Sequence, residues 1–415
     1  MRKLRAVDYL SINVYWFALS YLWNSIHPIV LPILVPLMAP PHLKGSALGI
    51  MTSVGLILAV VVQPISGAIS DRSTLRWGRR RPYILVGTLF DLLFLLGVAL
   101  AGDYWLLLGA YLLLQLSSNV AHGPYQGLIP DVVPENRRGA ASGVKQLAEI
   151  LGIIVTSKVT AHFMAQGQVF VALGAIGAFL LITMLITIFA VREEPLSKPP
   201  SNPSSCMTRP RSLRVDYVWL LVSRLFVLLG MNLVRNFALY FLEDVVRIPN
   251  AAAATGDLLA VIALCILVIT YPAGHLSDRI GRRTMSIASA LLGGAGAFLL
   301  MFARGDVVFT IAGLEFNDVF LYGSLVGLSA GVFLSANWAL ATDLVPRGEA
   351  AGYLGISNLA TAGAGIVAGL GGPLIDFFNA RQPGSGYTAL FASACLAYLA
   401  GAGLLLKIEE RGQRN

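Results

Sequence analysis

Apolar residues fall into twelve long blocks along this chain, separated by short polar, glycine- or proline-bearing breaks. The blocks run Leu10–Val35, Ala47–Ser70, Pro82–Ala101, Tyr104–Ile129, Gly139–Met164 and Val169–Val191, then Val215–Leu242, Thr255–Leu276, Thr284–Ala303, Val319–Leu344, Ala350–Leu374 and Tyr387–Lys407. Each is long enough to cross a hydrocarbon layer as a helix, which takes roughly 20 residues. Between the sixth and seventh blocks lies REEPLSKPPSNPSSCMTRPRSLR, whose proline, serine and charge predict a surface linker over 192–214. The pattern predicts an all-α membrane protein of twelve transmembrane helices, with a six-helix bundle over 1–191 and a second over 215–415.

The two sets of six are related. GAISDRSTLRWGRRRPYI, starting at Gly67, returns as GHLSDRIGRR at Gly274. IPDVVP at Ile129 pairs with ATDLVP at Ala341, and GVKQLA at Gly143 with GISNLA at Gly355, both at an offset of 212. Asp8-Tyr9 matches Asp216-Tyr217, which sets Asn24 opposite Asn232 and His27 opposite Arg235. Matches in one common order describe parallel repeats about an axis along the membrane normal. In the repeated turn a carboxylate sits beside arginines, where it can form a contact that breaks when the two halves rock. The expected gate residues are Gly67, Asp71, Arg72, Arg79 and Asp131, with Gly274, Asp278, Arg279, Arg282 and Asp343 in the second copy. The expected pairs are Asp71–Arg72 and Asp278–Arg279, with Arg80 and Arg81 left to set topology and meet anionic lipid.

Composition agrees with the pattern. Of 415 residues 56% are apolar and only 13% charged, against about a quarter in soluble proteins; the mean hydropathy is +0.72. The net charge of +8 resides in short turns, so lipid headgroups rather than nucleic acid are the expected partner. With the N-terminus inside, 22 Lys and Arg fall on inner segments and four on outer ones. That bias predicts a cell-membrane protein with both termini and the linker cytoplasmic. Met1-Arg-Lys-Leu-Arg leads into a long, polar-studded first block without a small-residue cleavage site, so the first helix is expected to be retained. Cys206, Cys265 and Cys395 lack metal or redox spacing, and no cofactor is expected.

Polar residues inside the blocks mark the candidate chemistry. In the fourth, Gln115, Asn119, His122 and Gln126 share one helical face and predict a wall of a polar cavity rather than a lipid contact. In the fifth, Ser142, Lys145, Gln146, Glu149 and Thr156 share a broad face. Glu149 lies ten residues in from Gly139, about 15 Å along a helix and near mid-bilayer. It is expected either to pair with Lys145 or to carry a proton. Asp91, midway along the third block, is a second carboxyl with no evident partner. Asn24 and His27 in the first block precede Pro28, Pro32 and Pro36, which predict a kink. Asn232, Arg235 and Asn236 occupy the matching region of the seventh; Asn337 and Trp338 lie in the tenth, Asn358 in the eleventh. Amide, imidazole and guanidinium groups beside indole suit a polyhydroxylated solute. Trp23 and Trp338 are alternatively plain packing, and Trp105 and Trp219 read as an interfacial belt.

GRRRPYI after SDRSTLRW, NVAHGPYQGLIPD and the D-x-V-P-x-x-x-R run resemble the plant sucrose/proton symporters and their animal relatives. These lie near the glycoside–pentoside–hexuronide symporters of the major facilitator superfamily. The resemblance implies the twelve-helix fold of that superfamily, alternating access and cation-coupled sugar uptake. Tyr125, within the NVAHGPYQGLIPD run, completes the expected solute-facing set. Two positions depart from the family. Gln115 stands where those symporters carry the aspartate held to be their proton site, and Gln126 where they often carry arginine. Helix two also lacks the carboxylates that melibiose-type relatives use for sodium. Either Glu149 carries the coupling, with Lys145 and Asp91 as further ion-coupling candidates, or the protein is a uniporter or moves another solute.

The sequence reading is therefore a monomeric, proton-coupled sugar or glycoside symporter, with an exporter or uniporter of another small polar or amphipathic solute as the rival. An enzyme is disfavoured because no HExxH, Asp-rich pair, nucleophile–base pair or phosphate-cradling glycine loop is present. A receptor is disfavoured by the duplication and by the lack of a soluble sensing domain.

Overall fold

The computed structural model describes residues 5–134, 137–191, 193, 215–311, 314–344 and 350–408. The predicted linker other than Glu193, together with Cys206, Arg347 and both chain ends, lies outside them. Twelve described helices are long and apolar enough to cross a membrane: α1 Val7–Met38, α2 Pro41–Asp71, α3 Arg81–Leu100, α4 Tyr104–Val132, α5 Ala140–Ala165, α6 Val169–Ala190, α7 Val215–Asn236, α8 Ala251–Ile280, α9 Arg282–Leu300, α10 Asp318–Leu344, α11 Ile356–Asn379 and α12 Ser385–Leu405. All twelve predicted blocks are present as helices.

The chain divides into two compact units, Met1–Ala39 with Val54–Pro203, and Pro40–Ser53 with Ser204–Asn415. In the first, α1 packs against α5 and α6, and α3 against α4 and α6. In the second, α7 packs against α11 and α12, and α9 against α10 and α12. Each pairing recurs six helices later, the structural form of the repeat read from the motifs. Close crossings use small residues, as expected where dispersion rather than hydrophobic exclusion draws helices together. A Cβ on Gly152 of α5 would lie 2.7 Å from the Phe17 carbonyl oxygen of α1, and one on Gly331 of α10 would lie 3.0 Å from Ile266 Cα of α8.

Two helices contain a wider turn. In α1 the prolines produce a π-helical segment, Ile26–Val30, where Pro28 supplies no N–H to the ladder. In α5 a second π segment spans Thr156–Thr160. The two face each other: the Ser25 hydroxyl lies 3.2 Å from Thr156 Oγ1 and 2.9 Å from Thr160 Oγ1, and Thr160 donates to Tyr21 Oη at 3.1 Å.

One element escaped the sequence reading. Strands β1 Val307–Ile311 and β2 Leu314–Asn317 form an antiparallel hairpin between α9 and α10, with Phe309 stacked on Phe316 at 5.0 Å. The β-branched run VVFTI was its signal.

Candidate functional site

In the first unit the polar stripe of α4 splits into two networks. In one, Tyr111 Oη meets His27 Nε2 of α1 at 3.0 Å and accepts from Gln115 Nε2 at 2.9 Å. Asn119 Nδ2 donates to the Gln115 carbonyl at 2.8 Å, and the Trp23 ring stacks on His27 at 5.2 Å. Asn24 instead donates to the Ser20 carbonyl of its own helix at 2.8 Å. Gln115 and Asn119 are buried, so this network is knitted into the bundle.

The second network lies on the other half of the stripe. Trp16 of α1 meets the His122 ring edge-on at 5.1 Å, and Gln126 Nε2 lies 3.3 Å from His122 Nε2. Lys145 Nζ of α5 sits 3.9 Å from the centroid of the Trp16 ring and 3.5 Å from Glu149 Oε1. The Lys145–Glu149 pair expected from the spacing is thus formed. Tyr125 is buried, donates to the Ile12 carbonyl at 2.7 Å and accepts from the Trp16 backbone N–H at 3.2 Å. It braces Trp16 and does not face open space, contrary to its expected solute-facing place. Trp16 was missed, although a tryptophan about two α-helical turns before Asn24 could have flagged it. Its Nε1 is buried with no acceptor among the described residues. Gln146, on the same helix as Glu149, is exposed.

Asp91 joins neither network. It is buried between α3 and α4, where Ser117 donates to its Oδ1 and its Oδ2 has no partner among the described residues. Tyr15 and Thr88 hydrogen-bond nearby at 2.7 Å. The partner that the sequence did not reveal is Ser117.

In the second unit the central feature is a residue the sequence reading passed over. Arg224 of α7 is buried; its Nε donates to Thr361 Oγ1 of α11 at 3.1 Å and its Nη1 to Asn337 Oδ1 of α10 at 2.8 Å. Asn232 donates to the Leu228 carbonyl of α7 at 2.9 Å. Arg235 and Asn236 are half-buried further along α7, while Trp338 and Asn358 are exposed beside Asn337 and Thr361. The repeat relates the two units position by position. The 208 offset sets Trp16 opposite Arg224, and the 212 offset sets Tyr125, Gln126, Gln146 and Glu149 opposite Asn337, Trp338, Asn358 and Thr361.

The gate residues pair differently from expectation. Asp71 meets Arg80 Nη2 at 2.5 Å, and Asp278 meets Arg282 Nη2 at 3.1 Å. Among the described residues Arg72 and Arg279 form no ion pair. Neighbouring positions on a helix end point apart, whereas an arginine arriving from beyond the turn can reach back. Arg80, assigned by the sequence to topology, is the hub: its side chain is 6% exposed, its Nε donates to Asp131 at 3.0 Å and its Nη1 to Ser70 Oγ. Arg79 also pairs with Asp131. Gly78, at φ +113°, takes the left-handed conformation that turns the arginines inward. The Arg80 backbone N–H donates to Glu193 Oε2 at 2.9 Å; burial raises the Glu193 carboxyl above the usual carboxylate range. In the second copy Arg282 spans Asp278 and Asp343 and donates to the Ala339 carbonyl at 3.1 Å. The leading glycines mark close crossings. A Cβ on Gly67 would stand 3.7 Å from Gly123 of α4, and one on Gly274 would stand 2.9 Å from Ser335 Oγ of α10.

A further cluster involves the start of α2, which belongs to the second unit. Lys44 Nζ pairs with Asp244 at 2.7 Å, and Tyr387 Oη donates to the same carboxylate. Asp376 of α11 accepts from the Gly45 N–H at 3.1 Å and from the Ser46 N–H. Ser53 Oγ donates to the Ile366 carbonyl at 2.8 Å.

Among the described residues no group of His, Cys, Asp and Glu could hold a metal ion. The family described as MFS/sugar transport protein matches residues 41–408. The chain is 28% identical over 180 residues to the sucrose transport protein SUC3 of Arabidopsis thaliana, covering 34% of this chain and 30% of that protein. It is 24% identical over 305 residues to the lactose permease of Lactobacillus helveticus, covering 67% of this chain and 47% of the permease. The chain thus spans less than half the length of these curated relatives. Among solved structures, the nucleoside transporter NupG superposes with a TM-score of 0.72 at 15% identity, over 97% of this chain and 100% of that one. At that identity the likeness is one of fold.

Proposed function

Because the chain belongs to the MFS/sugar transport protein family, we propose that it is a secondary transporter of a sugar or glycoside, coupled to protons through Glu149 and working by alternating access. The observation that carries the reading is the Trp16–His122–Gln126–Lys145–Glu149 network. It gathers an indole face, amide and imidazole groups and a carboxyl from three helices of one unit. Indole faces stack on the C–H faces of sugars, and amides and imidazole serve hydroxyl pairs. The sugar assignment draws also on the sucrose transport protein and the lactose permease among the relatives.

Glu149 serves as the coupling group because it lies inside a membrane-spanning helix and its partner Lys145 is shared with the Trp16 ring. A proton on Glu149 dissolves the ion pair and frees Lys145, so protonation and solute contact act on one side chain. The 6+6 duplication supplies the two halves that rock, and the arginine–carboxylate hubs at Arg80 and Arg282 supply contacts that differ between states. The basic bias of the alternate segments orients the protein in the cell membrane with its termini in the cytoplasm.

The test is purified full-length protein in liposomes. Counterflow of labelled sucrose or lactose, together with net accumulation driven by an inward proton gradient, is the expected result. Counterflow without gradient-driven accumulation would make the protein a uniporter. Absence of counterflow for any labelled mono- or disaccharide would overturn the sugar assignment.

A further inference from the structure

Arg224 holds a charge that its surroundings do not neutralise. Its two hydrogen bonds go to neutral oxygens, Thr361 Oγ1 and Asn337 Oδ1, and Nη2 has no acceptor among the described residues. Asn337 Nδ2, in the same cluster, is buried and likewise lacks an acceptor. The cluster therefore offers surplus donors around a buried cation.

Among the described residues no side chain nearby can supply the missing charge. Helix α7 packs against α9, α10, α11 and α12 and against the short helix Ala238–Asp244 that follows it; α9 and α12 contain no Asp or Glu, Glu243 lies 19 residues beyond Arg224, and Asp244 is held by Lys44 and Tyr387. On α10, Asp318 accepts the Arg304 and Gly305 N–H groups and Asp343 is held by Arg282. On α11, Asp376 accepts the Gly45 and Ser46 N–H groups. On α7 itself, Asp216 lies eight residues away, about 12 Å along the axis. The opposite repeat is different in kind. There the position equivalent to Arg224 is Trp16, and its cation, Lys145, has Glu149 as counter-charge. Burying an unpaired charge is costly, and a fixed guanidinium with spare donors is the residue type that receives a planar anion.

We propose that Arg224, with Asn337 and Thr361, is a carboxylate-binding subsite. The carboxylate arrives either on the transported sugar, as a sugar acid, or on a separate small acid. Asn358, exposed on the turn of α11 that precedes Thr361, extends the polar surface beside it. The sugar-acid form rests on the glycoside reading above, and the separate-acid form does not.

The experiment is thermal unfolding of the solubilised full chain titrated with methyl glucuronide, methyl glucoside and lactate, in wild type, Arg224→Gln and Arg224→Lys. The expected result is half-saturation by glucuronide at a concentration at least tenfold below that of glucoside. Arg224→Gln removes the difference and Arg224→Lys retains part of it. Stabilisation by lactate that is lost in Arg224→Gln, with the two glycosides equal, supports the subsite and assigns the carboxylate to a separate acid. If glucoside stabilises and neither carboxylate binds more tightly, the subsite is overturned while the glycoside reading stands. If carboxylates bind through Arg224 and no glycoside competes, the glycoside reading falls and the subsite stands. If none of the three stabilises wild type, both fall. The wild-type comparison decides the matter even if Arg224→Gln fails to fold, and Thr361→Val, which removes only the hydroxyl acceptor, gives a second variant.

Discussion

Lys145 Nζ lies 3.9 Å from the Trp16 ring centroid while remaining 3.5 Å from Glu149 Oε1. One ammonium thus serves an aromatic face and a carboxylate on two different helices. Both attractions are of the order of 1 kcal/mol when partly exposed, so neither fixes the lysine alone. Loss of either partner leaves Lys145 to the other.

Glu149→Gln keeps the shape and removes the titratable group. Gradient-driven sugar uptake is expected to fall to the level of passive equilibration, while counterflow survives. Uptake of labelled sugar with and without a proton gradient reads both, and gradient-driven accumulation unchanged by the substitution would discard Glu149 as the coupling group.

Trp16→Phe retains an aromatic face but shrinks it and drops Nε1, and Trp16→Ala removes the face altogether. The half-saturating sugar concentration is expected to rise several-fold in the first and more than tenfold in the second, matching the ~1–3 kcal/mol scale of aromatic contacts plus the area they bury. Isothermal titration with the transported sugar checks the order of the two.

Arg80→Gln should be the most destabilising single change among the turn arginines. It strips Asp71 and Asp131 of a shared partner whose side chain is 6% exposed. The expected cost is at the low end of the ~3–5 kcal/mol for breaking a buried pair, because both carboxylates remain partly exposed. Arg72→Gln, by contrast, should stay within about 0.5 kcal/mol. Thermal unfolding of the two variants side by side would reverse the assignment of the hub if Arg72→Gln proved the costlier.

Gly49→Ala places a Cβ 2.0 Å from the Gly369 carbonyl oxygen, and Gly372→Ala places one 1.9 Å from that of Gly45. Neither fits without the start of α2 lifting from α11. Either substitution should raise the rate at which Ser53→Cys reacts with a polar maleimide in intact membranes, by roughly tenfold if the lifted state becomes the major one. An unchanged rate would mean that the crossing relaxes elsewhere.

Asp91→Asn should leave uptake within about twofold, because Asp91 lies apart from both networks and Ser117 can hydrogen-bond an amide oxygen equally well. Asp91→Leu leaves the Ser117 hydroxyl without that acceptor and should cost about 1–3 kcal/mol of stability. Loss of gradient-driven uptake in Asp91→Asn would restore it as an ion-coupling residue.

The helices were legible because the hydrocarbon layer imposes length and polarity on each block independently of its neighbours. The duplication was legible because Gly67/Gly274 and Asp131/Asp343 recur with their surrounding motifs in the same order. Pairing was not. Arg72, Arg79, Arg80 and Arg81 are equivalent in composition, and only the turn at Gly78 decides which one reaches Asp71. Trp16 looked like an ordinary position in an apolar block, and Arg224, whose charge inside a span was itself a signal, had no visible partner, since the importance of both arises from Lys145 and Asn337 on helices remote in sequence. The division of α2 between two units was also hidden, because Pro40–Ser53 and the residues that follow form one continuous apolar helix.

The paired wide turns at Ile26–Val30 and Thr156–Thr160 give α1 and α5 a common knee. A five-residue turn has already given up the regular spacing of its ladder, so moving it along by one residue exchanges one imperfect rung for another. The hydroxyls of Ser25, Thr156, Thr160 and Tyr21 can swap partners across the joint as that happens. The two rods that frame Trp16, Lys145 and Glu149 can therefore flex together at one level while the packing on either side of it stays intact.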